Sequence, residues 1–208
     1  MGSVIQRTLS NEILDKTMYV FWERGYFNTS VDDLVVATGF NKSAIYKYFG
    51  GKHELFIAML KRYRDVVTPR LTTPLKETHR GLQAIDNFFS QFLALNKSDT
   101  PCGCFLIATA SELPSHDKEV SVFIQQFSRD LKQLLLGCLV TAQQSKQLNT
   151  DVNINAIADF LMVNVFGLMT LHRTSVEPSV IKHHIIIVKH YLQEIEFQGE
   201  NHESITSM

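Results

Sequence analysis

Apolar residues recur at spacings of three and four along most of the chain, and the first three segments with this pattern are short. They cover residues 11–24, 30–38 and 42–49. Gly39 separates the second segment from the third, and glycine tolerates the positive φ of a tight turn because it has no Cβ. This spacing is typical of amphipathic helices that bury one face. The pattern predicts a bundle of three short helices at the start of the chain.

The remainder of the chain has the same helical periodicity, without the alternation that is typical of strands. Further predicted helices cover about 52–67, 81–95, 104–113, 116–147, 155–173 and 179–195. Pro69 and Pro74 mark a boundary after the first of these. We expect an all-α fold of about nine helices. Its parts are a three-helix domain (1–50), a connecting helix and linker (51–74), a larger helical domain (75–196) and a polar tail (197–208).

The second and third predicted helices, with the glycine turn between them, have the arrangement of a helix-turn-helix. Ser30 and Asp33 have the spacing of a capping box, and Asn41 is suited to begin the third helix. That helix buries Ile45 and leaves a basic, hydroxyl-rich outer face. In a helix-turn-helix, such a helix enters the DNA major groove. Double-stranded DNA is therefore the predicted partner.

The segment from Phe21 to Phe56, FWERGYFNTSVDDLVVATGFNKSAIYKYFGGKHELF, resembles the N-terminal domain of the TetR/AcrR family of bacterial transcriptional regulators. The resemblance implies a helix-turn-helix domain followed by a larger helical domain that binds a ligand and dimerises. It implies a repressor that a small apolar or aromatic effector releases from a near-palindromic operator, although activation stays open. The last two long helices of such proteins form a four-helix dimer bundle.

Lysines and hydroxyl groups can donate hydrogen bonds to base edges and phosphates, and a small residue can approach a thymine methyl group. These residue types identify the candidate DNA contacts. They are Thr29, Lys42, Ser43, Ala44, Tyr46, Lys47, Tyr48 and Lys52. Residues 38–64 hold six Lys or Arg against one Glu, a local charge of +5, whereas the whole chain has a net charge of −1. This asymmetry fits one anion-binding surface on a mildly acidic body, although a solvated helix end is the plainer alternative.

Residues 157–171 are apolar almost all round, and residues 185–188 read Ile-Ile-Ile-Val. Such helices need cover on two sides. A deeply buried central pair in a monomer would provide it, but we favour a homodimer interface. The candidate interface residues are Val163, Phe166, Gly167, Ile185, Val188 and Leu192.

Phenylalanine is frequent in the second predicted domain, and the resemblance implies that some of these rings face an effector pocket. The candidate pocket residues are Phe88, Phe92, Phe105, Phe123, Phe127, Met162, Phe166, Met169 and His172. Apolar cavities between helices are common sites for small ligands. Plain core packing is the alternative for each residue.

Cys102 and Cys104 lie in PCGCFLI, residues 101–107. This segment resembles a Gly-Cys-apolar motif of one TetR/AcrR subgroup, some members of which sense electrophiles or oxidants. A helix N-terminus lowers the pKa of a thiol, which makes Cys104 a candidate redox residue. The alternative is a small buried hydrophobic residue. An odd number of cysteines favours a reducing cytoplasm, and their spacing does not suggest a metal site.

Other functional classes have little support in the sequence. The chain contains no Walker loop, no Gly-x-Ser-x-Gly and no His-Glu-x-x-His, so we expect neither an enzyme nor a cofactor. We also expect no membrane span, because no apolar run approaches roughly 18 residues. A helical protein that binds small molecules without binding DNA remains the third alternative.

Overall fold

The computed structural model describes residues 10–94, 103–112, 117–174 and 176–196. Within these ranges it has nine helices of eight residues or more. They are α1 (Asn11–Arg24), α2 (Val31–Thr38), α3 (Lys42–Phe49), α4 (Lys52–Val66), α5 (Leu82–Ala94), α6 (Phe105–Glu112), α7 (Lys118–Gln144), α8 (Ile154–Arg173) and α9 (Pro178–Glu194). Two one-turn helices, Thr68–Leu71 and Thr73–Lys76, and a 3-10 turn, Thr78–Arg80, connect α4 to α5. The described residues contain no strand, so the all-α prediction is confirmed.

The caps of α2 and α3 are those that the sequence predicts. Ser30 Oγ accepts the Asp33 N–H at 3.0 Å, and the Asp33 carboxylate accepts the Ser30 N–H at 2.8 Å. Asn41 Oδ1 accepts the Ser43 N–H at 2.8 Å. Gly39 adopts a φ of 70°, where a side chain would be strained. These local interactions fix the angle at which α3 leaves the turn.

The first four helices share one core. Phe21 of α1, Leu34 of α2, Ile45 of α3 and Phe56 of α4 are all completely buried. The rings of Phe21 and Phe56 meet edge to face, with centroids 5.1 Å apart. Burial of a large apolar side chain contributes about 1.5–3 kcal/mol, so this core holds α3 firmly against α2 and α4.

Aromatic packing joins this N-terminal unit to the rest of the molecule. The Phe105 ring, at the start of α6, lies 5.6 Å from Phe56 and 5.8 Å from Tyr63. Trp22 packs on Tyr63 and donates its indole N–H to the Gly103 carbonyl at 3.1 Å. Because α4 carries both Phe56 and Tyr63, it runs through the core of both parts of the protein.

The last two helices correct the predicted dimer interface. Helix α9 packs against α5, and Ile185, Val188 and Leu192 are buried inside the subunit, with exposures of 0%, 1% and 4%. These three residues are therefore core residues and not free to meet a partner. The exposed apolar side of α9 carries Ile186 and Ile187 instead.

Helix α8 also corrects the prediction that no segment is long and apolar enough to span a membrane. Ile154–Arg173 is long and apolar enough, by length and composition alone, to cross a membrane. Its mean hydropathy is 1.7. In the structure one side of α8, including Leu161 and Leu168, is buried against α6 and α7. On the other side Val163 and Gly167 are exposed.

Candidate nucleic-acid interface

Helix α3 presents a polar face that no other part of the described subunit covers. Lys42, Ser43, Tyr46 and Lys47 are exposed, whereas Ile45 on the opposite side is completely buried. Ala44 and Tyr48, the other candidates on α3, are half-buried at the edge of this face. Six predicted contact residues thus lie on one short helix, and four of them are exposed.

Lys42 is ion-paired in this structure. Its ammonium lies 2.7 Å from the Asp32 carboxylate of α2, and this partner raises the pKa of Lys42. Both side chains are exposed, so water and salt screen the attraction between the two charges. Lys42 can therefore exchange this carboxylate for a phosphate or a base at little cost.

Thr29 is not available for the DNA contact that the sequence predicts. Its side chain is completely buried, and its hydroxyl donates to the Gly25 carbonyl at 2.7 Å. Its N–H is also used, in a bond to the Tyr26 carbonyl. A contact from the Thr29 hydroxyl to phosphate is therefore contradicted by the structure. The residue closes the turn between α1 and α2.

Lys52 begins α4 at the end nearest α3. Gly51 before it provides no side-chain cap, so the first N–H groups of α4 lack that partner. The Lys52 ammonium lies 4.2 Å from the centre of the Tyr26 ring, and partial burial lowers its pKa. A helix N-terminus with an adjacent ammonium suits a phosphate, so this contact stays a prediction.

The positive charges of residues 38–64 do not form a single surface. Lys61 pairs with Glu119, Arg62 with Asp15 and Arg64 with Asp65, at 3.4, 2.8 and 2.7 Å. These three basic side chains lie on the second half of α4, where acidic neighbours from three parts of the chain balance them. The prediction of one surface with five excess charges is wrong, and the cationic groups near α3 are Lys42, Lys47 and Lys52.

The far end of α6 holds the turn that follows α1. The Glu112 carboxylate accepts the Tyr26 N–H at 3.1 Å and the Phe27 N–H at 2.8 Å. Gly25 allows this approach, because its φ is 82° and an added Cβ would lie 2.7 Å from a Glu112 oxygen. Glu112 therefore links the end of α6 directly to the segment between α1 and α2.

Two further polar contacts cross the same boundary. Arg173, at the end of α8, donates to the Trp22 carbonyl at 2.9 Å. His53 of α4 contacts Asp117, whose other carboxylate oxygen accepts the Val120 N–H and caps α7. Partial burial opposes ionisation of Asp117, but the hydrogen bonds from Val120 and His53 outweigh it, and the pKa of Asp117 is lowered. The contacts of His53 and Asp117 fix the first turn of α4 relative to α7.

The predicted effector residues do not line one cavity. Phe88, Phe127 and Met169 line an inner cavity of about 30 Å³ between α4, α5, α6, α7 and α8. Phe92 and His172 line a separate cleft at the ends of α5 and α8.

The four remaining candidates lie elsewhere. Phe123 lies under the Arg64 guanidinium on the surface of α7. Phe105 packs between Phe56 and Tyr63. Phe166 stacks on Phe127, and Met162 packs partly buried against the core. The prediction of one shared pocket is therefore wrong for most of the set.

Two polar residues of the inner cavity were missed by the sequence reasoning. The Tyr63 hydroxyl and Thr68 Oγ1 are buried there without a hydrogen-bond partner of normal geometry. Tyr63 has the spacing of an ordinary core residue of α4, and Thr68 lies in a proline-containing connector. Neither position has a sequence signal that distinguishes it from packing.

The cysteine hypothesis loses its physical basis in this structure. Cys104 is buried, and burial raises the pKa of its thiol despite its place at the start of α6. The predicted lowering of the pKa is wrong, because desolvation outweighs the hydrogen bonds from the first turn of the helix. Cys102 lies outside the described residues. Cys138 is buried as well, with a pKa raised to about 11 by burial.

Comparison with known proteins covers both parts of the chain. The family model described as "Bacterial regulatory proteins, tetR family" matches residues 13–59. The model described as "Tetracyclin repressor-like, C-terminal domain" matches residues 81–186, which is more than half of the chain.

Relatives agree with these matches over most of their length. The HTH-type transcriptional repressor ComR of Escherichia coli (strain K12) is 28% identical over 157 residues, which cover 74% of this chain and 75% of ComR. A TetR family regulator from Cytophaga hutchinsonii has the same fold, with a TM-score of 0.80 and 22% identity over 92% of this chain and 99% of its own.

A second solved structure is a cysteine mutant of the TetR family regulator CifR with 26-base-pair double-stranded operator DNA. It superposes with a TM-score of 0.76 and 21% identity, covering 89% of this chain and 96% of its own. The helix-turn-helix geometry of α2 and α3 and the two family models agree. The chain belongs to the TetR family of bacterial transcriptional regulators.

Proposed function

We propose that this protein is a homodimeric repressor that binds a near-palindromic operator and leaves it when a small uncharged effector binds. The observation that carries the proposal is the exposed polar face of α3. Burial of Ile45 on the opposite side anchors this helix, which follows the Gly39 turn of the helix-turn-helix. Support comes from ComR, which is named as a repressor, and from CifR, which was crystallised with operator DNA. Such a regulator acts by binding alone, in the cytoplasm where bacterial DNA lies.

The roles of individual side chains follow from their reach. Ser43 and Lys47 are placed to meet base edges in the major groove, together with Lys42 once it leaves Asp32. Tyr46, Tyr48 and Lys52 suit phosphate contacts at the two ends of the helix. Ala44 is small enough to approach a thymine methyl group.

The dimer is proposed from an exposed apolar surface, here called the α8–α9 face. It comprises Phe160 and Val163 of α8 and Val180, Ile186 and Ile187 of α9. Val163 and Ile187 are each 65% exposed. The rings of Phe160 of α8 and Tyr191 of α9 lie 5.0 Å apart, so the two helices adjoin there, and exposed apolar surface marks interaction sites on soluble proteins. A two-fold axis through this face would present two α3 helices to half-sites roughly 34–36 Å apart.

Release by an effector is proposed from the position of α6. One end of α6 adjoins the inner cavity at Cys104 and Ile107, and Glu112 at the other end holds the turn after α1. A ligand that favours a different position of α6 would shift the N-terminal units and the spacing of the two α3 helices. Such a ligand would bind the shifted state more tightly than the operator-binding state. The difference between these two affinities sets how far the affinity for the operator falls.

Fluorescence anisotropy on an operator selected from random duplexes tests the proposal. We expect salt-dependent binding, with Lys47→Ala weakening it by about 1–3 kcal/mol. Lys76→Ala, which removes the same charge from the exposed connector, is the matched control and should bind like wild type. Absence of any selected duplex, or equal loss in both variants, would count against the proposed function.

A further inference from the structure

The cleft at the ends of α5 and α8, here called the outer cleft, also adjoins the first turn of α9. Its volume is about 600 Å³, which is within the range of roughly 300–1,000 Å³ that is common for small-molecule sites. The outer cleft shares no described lining residue with the inner cavity, which holds little more than a water molecule. A molecule of one aromatic ring and a short chain is therefore small enough for the outer cleft as it stands.

The walls of the outer cleft are mostly apolar. The apolar residues that line it are Phe92, Leu93, Leu171, Val176, Pro178 and Ile181. Leu93 is 51% exposed at the end of α5, so a ligand that covers it removes apolar surface from water, which is favourable. His172 also lines the cleft, and burial lowers the pKa of its imidazole, so the ring is mainly uncharged at neutral pH. The walls therefore suit the apolar part of a ligand.

The charge of the outer cleft lies on the first turn of α9. Lys182 is exposed and has no carboxylate partner among the described residues. None of the described residues that line the cleft is acidic, and Glu177, which precedes α9, is not one of them. Ser179 is three residues before Lys182, so both side chains project from the same side of α9. The Ser179 hydroxyl also has no hydrogen-bond partner among the described residues. This turn therefore offers an ammonium and a hydroxyl that can both donate to an anion.

We propose that the outer cleft binds a small monocarboxylate with an apolar body, with the carboxylate on Lys182 and Ser179 and the body against Phe92 and Leu93. A carboxylate has two acceptor oxygens, so it can accept from the ammonium and the hydroxyl together. This ligand is distinct from the uncharged effector proposed above, and the site depends neither on that effector nor on DNA. None of the residues that define the α8–α9 face lines the cleft, so the site can be tested in the dimer.

NMR titration of the isotope-labelled full chain with hydrocinnamate and hydrocinnamyl alcohol tests the site, because these probes share the ring and chain and differ in the head group. We expect hydrocinnamate to bind about five-fold more tightly, with amide shifts centred on Leu93, Ser179 and Lys182. Added salt should weaken hydrocinnamate and leave the alcohol unchanged, because it screens the attraction to Lys182. Lys182→Met removes the ammonium and keeps a long apolar stem, so it should abolish the preference without weakening the alcohol.

Lys76→Met removes the charge of an exposed lysine outside the cleft, so it is the matched control and should retain the full preference. Leu93→Ser removes part of the apolar wall and should weaken both probes by about three-fold, which provides a second test if Lys182→Met does not fold. Equal binding of the two probes to wild type, a preference that survives Lys182→Met, or unchanged binding in Leu93→Ser overturns the inference. So does the absence of binding by either probe. In each case salt-dependent operator binding, measured without ligand, still decides the proposed function separately.

Discussion

Substitution of Val163 by aspartate tests the α8–α9 face as the contact between subunits. Val163 is 65% exposed in the single subunit and lies at the centre of α8. Full burial of a valine contributes about 1.5 kcal/mol, so its exposed part contributes about 1 kcal/mol when a partner covers it. A two-fold interface contains the residue twice, which gives about 2 kcal/mol per dimer, or roughly 30-fold in the dissociation constant.

The carboxylate adds to this loss, since a charge buried without a partner costs several kcal/mol more. We therefore expect Val163→Asp to dissociate at concentrations where wild type is fully dimeric. Sedimentation velocity over a concentration series measures this, and circular dichroism confirms that the monomer remains helical.

Val122→Asp provides a matched control for the same measurement. Val122 is 61% exposed on α7, outside the α8–α9 face, so the substitution has the same chemistry and nearly the same exposure. This variant should remain dimeric. A monomeric wild type would refute the reasoning, and so would equal dimer strength in Val163→Asp and Val122→Asp.

Three further predictions concern the contacts around the helix-turn-helix. Glu112→Ala removes both hydrogen bonds to the turn after α1 and should lower the free energy of unfolding by about 1–2 kcal/mol in urea titrations, because this site is partly solvated. Ser30→Ala removes the cap of α2 and should cost about 1 kcal/mol in the same assay, whereas Ser30→Gly should cost only a few tenths. Asp117 has a lowered pKa in the folded protein, so its stabilisation is present above its ordinary value of 3.8 and is lost as the pH falls through the folded value. Asp117→Asn should therefore flatten the decline of the melting temperature over that acidic range, and an unchanged decline would contradict this role.

Local signals made the helix-turn-helix predictable from sequence. The Ser30 and Asp33 capping box, the positive φ of Gly39 and the cap by Asn41 depend on residues within four positions of one another. The two caps follow from hydrogen-bonding chemistry and the glycine turn from the missing Cβ, and the rest of the fold alters neither. The bounds of α1 and α3 followed from the same signals.

Features that depend on distant partners were not predictable in the same way. Residues 185–188 are apolar on every side, so the sequence does not indicate that Ile185 and Val188 face α5 while Ile186 and Ile187 remain exposed. The basic residues of α4 were wrongly grouped because Asp15 and Glu119 come from other helices. Tyr63 and Thr68 become notable only when burial and missing partners are known.

Hydroxyl-radical footprinting on the selected operator tests the central claim most directly, since it shows where and how often the protein covers the duplex. We predict two protected patches related by two-fold symmetry and separated by about one helical turn. Lys47→Ala should weaken both patches together, and Lys76→Ala should leave both intact. A single patch, or a footprint that Lys47→Ala leaves unchanged at the same protein concentration, would contradict a dimer that reads DNA with α3.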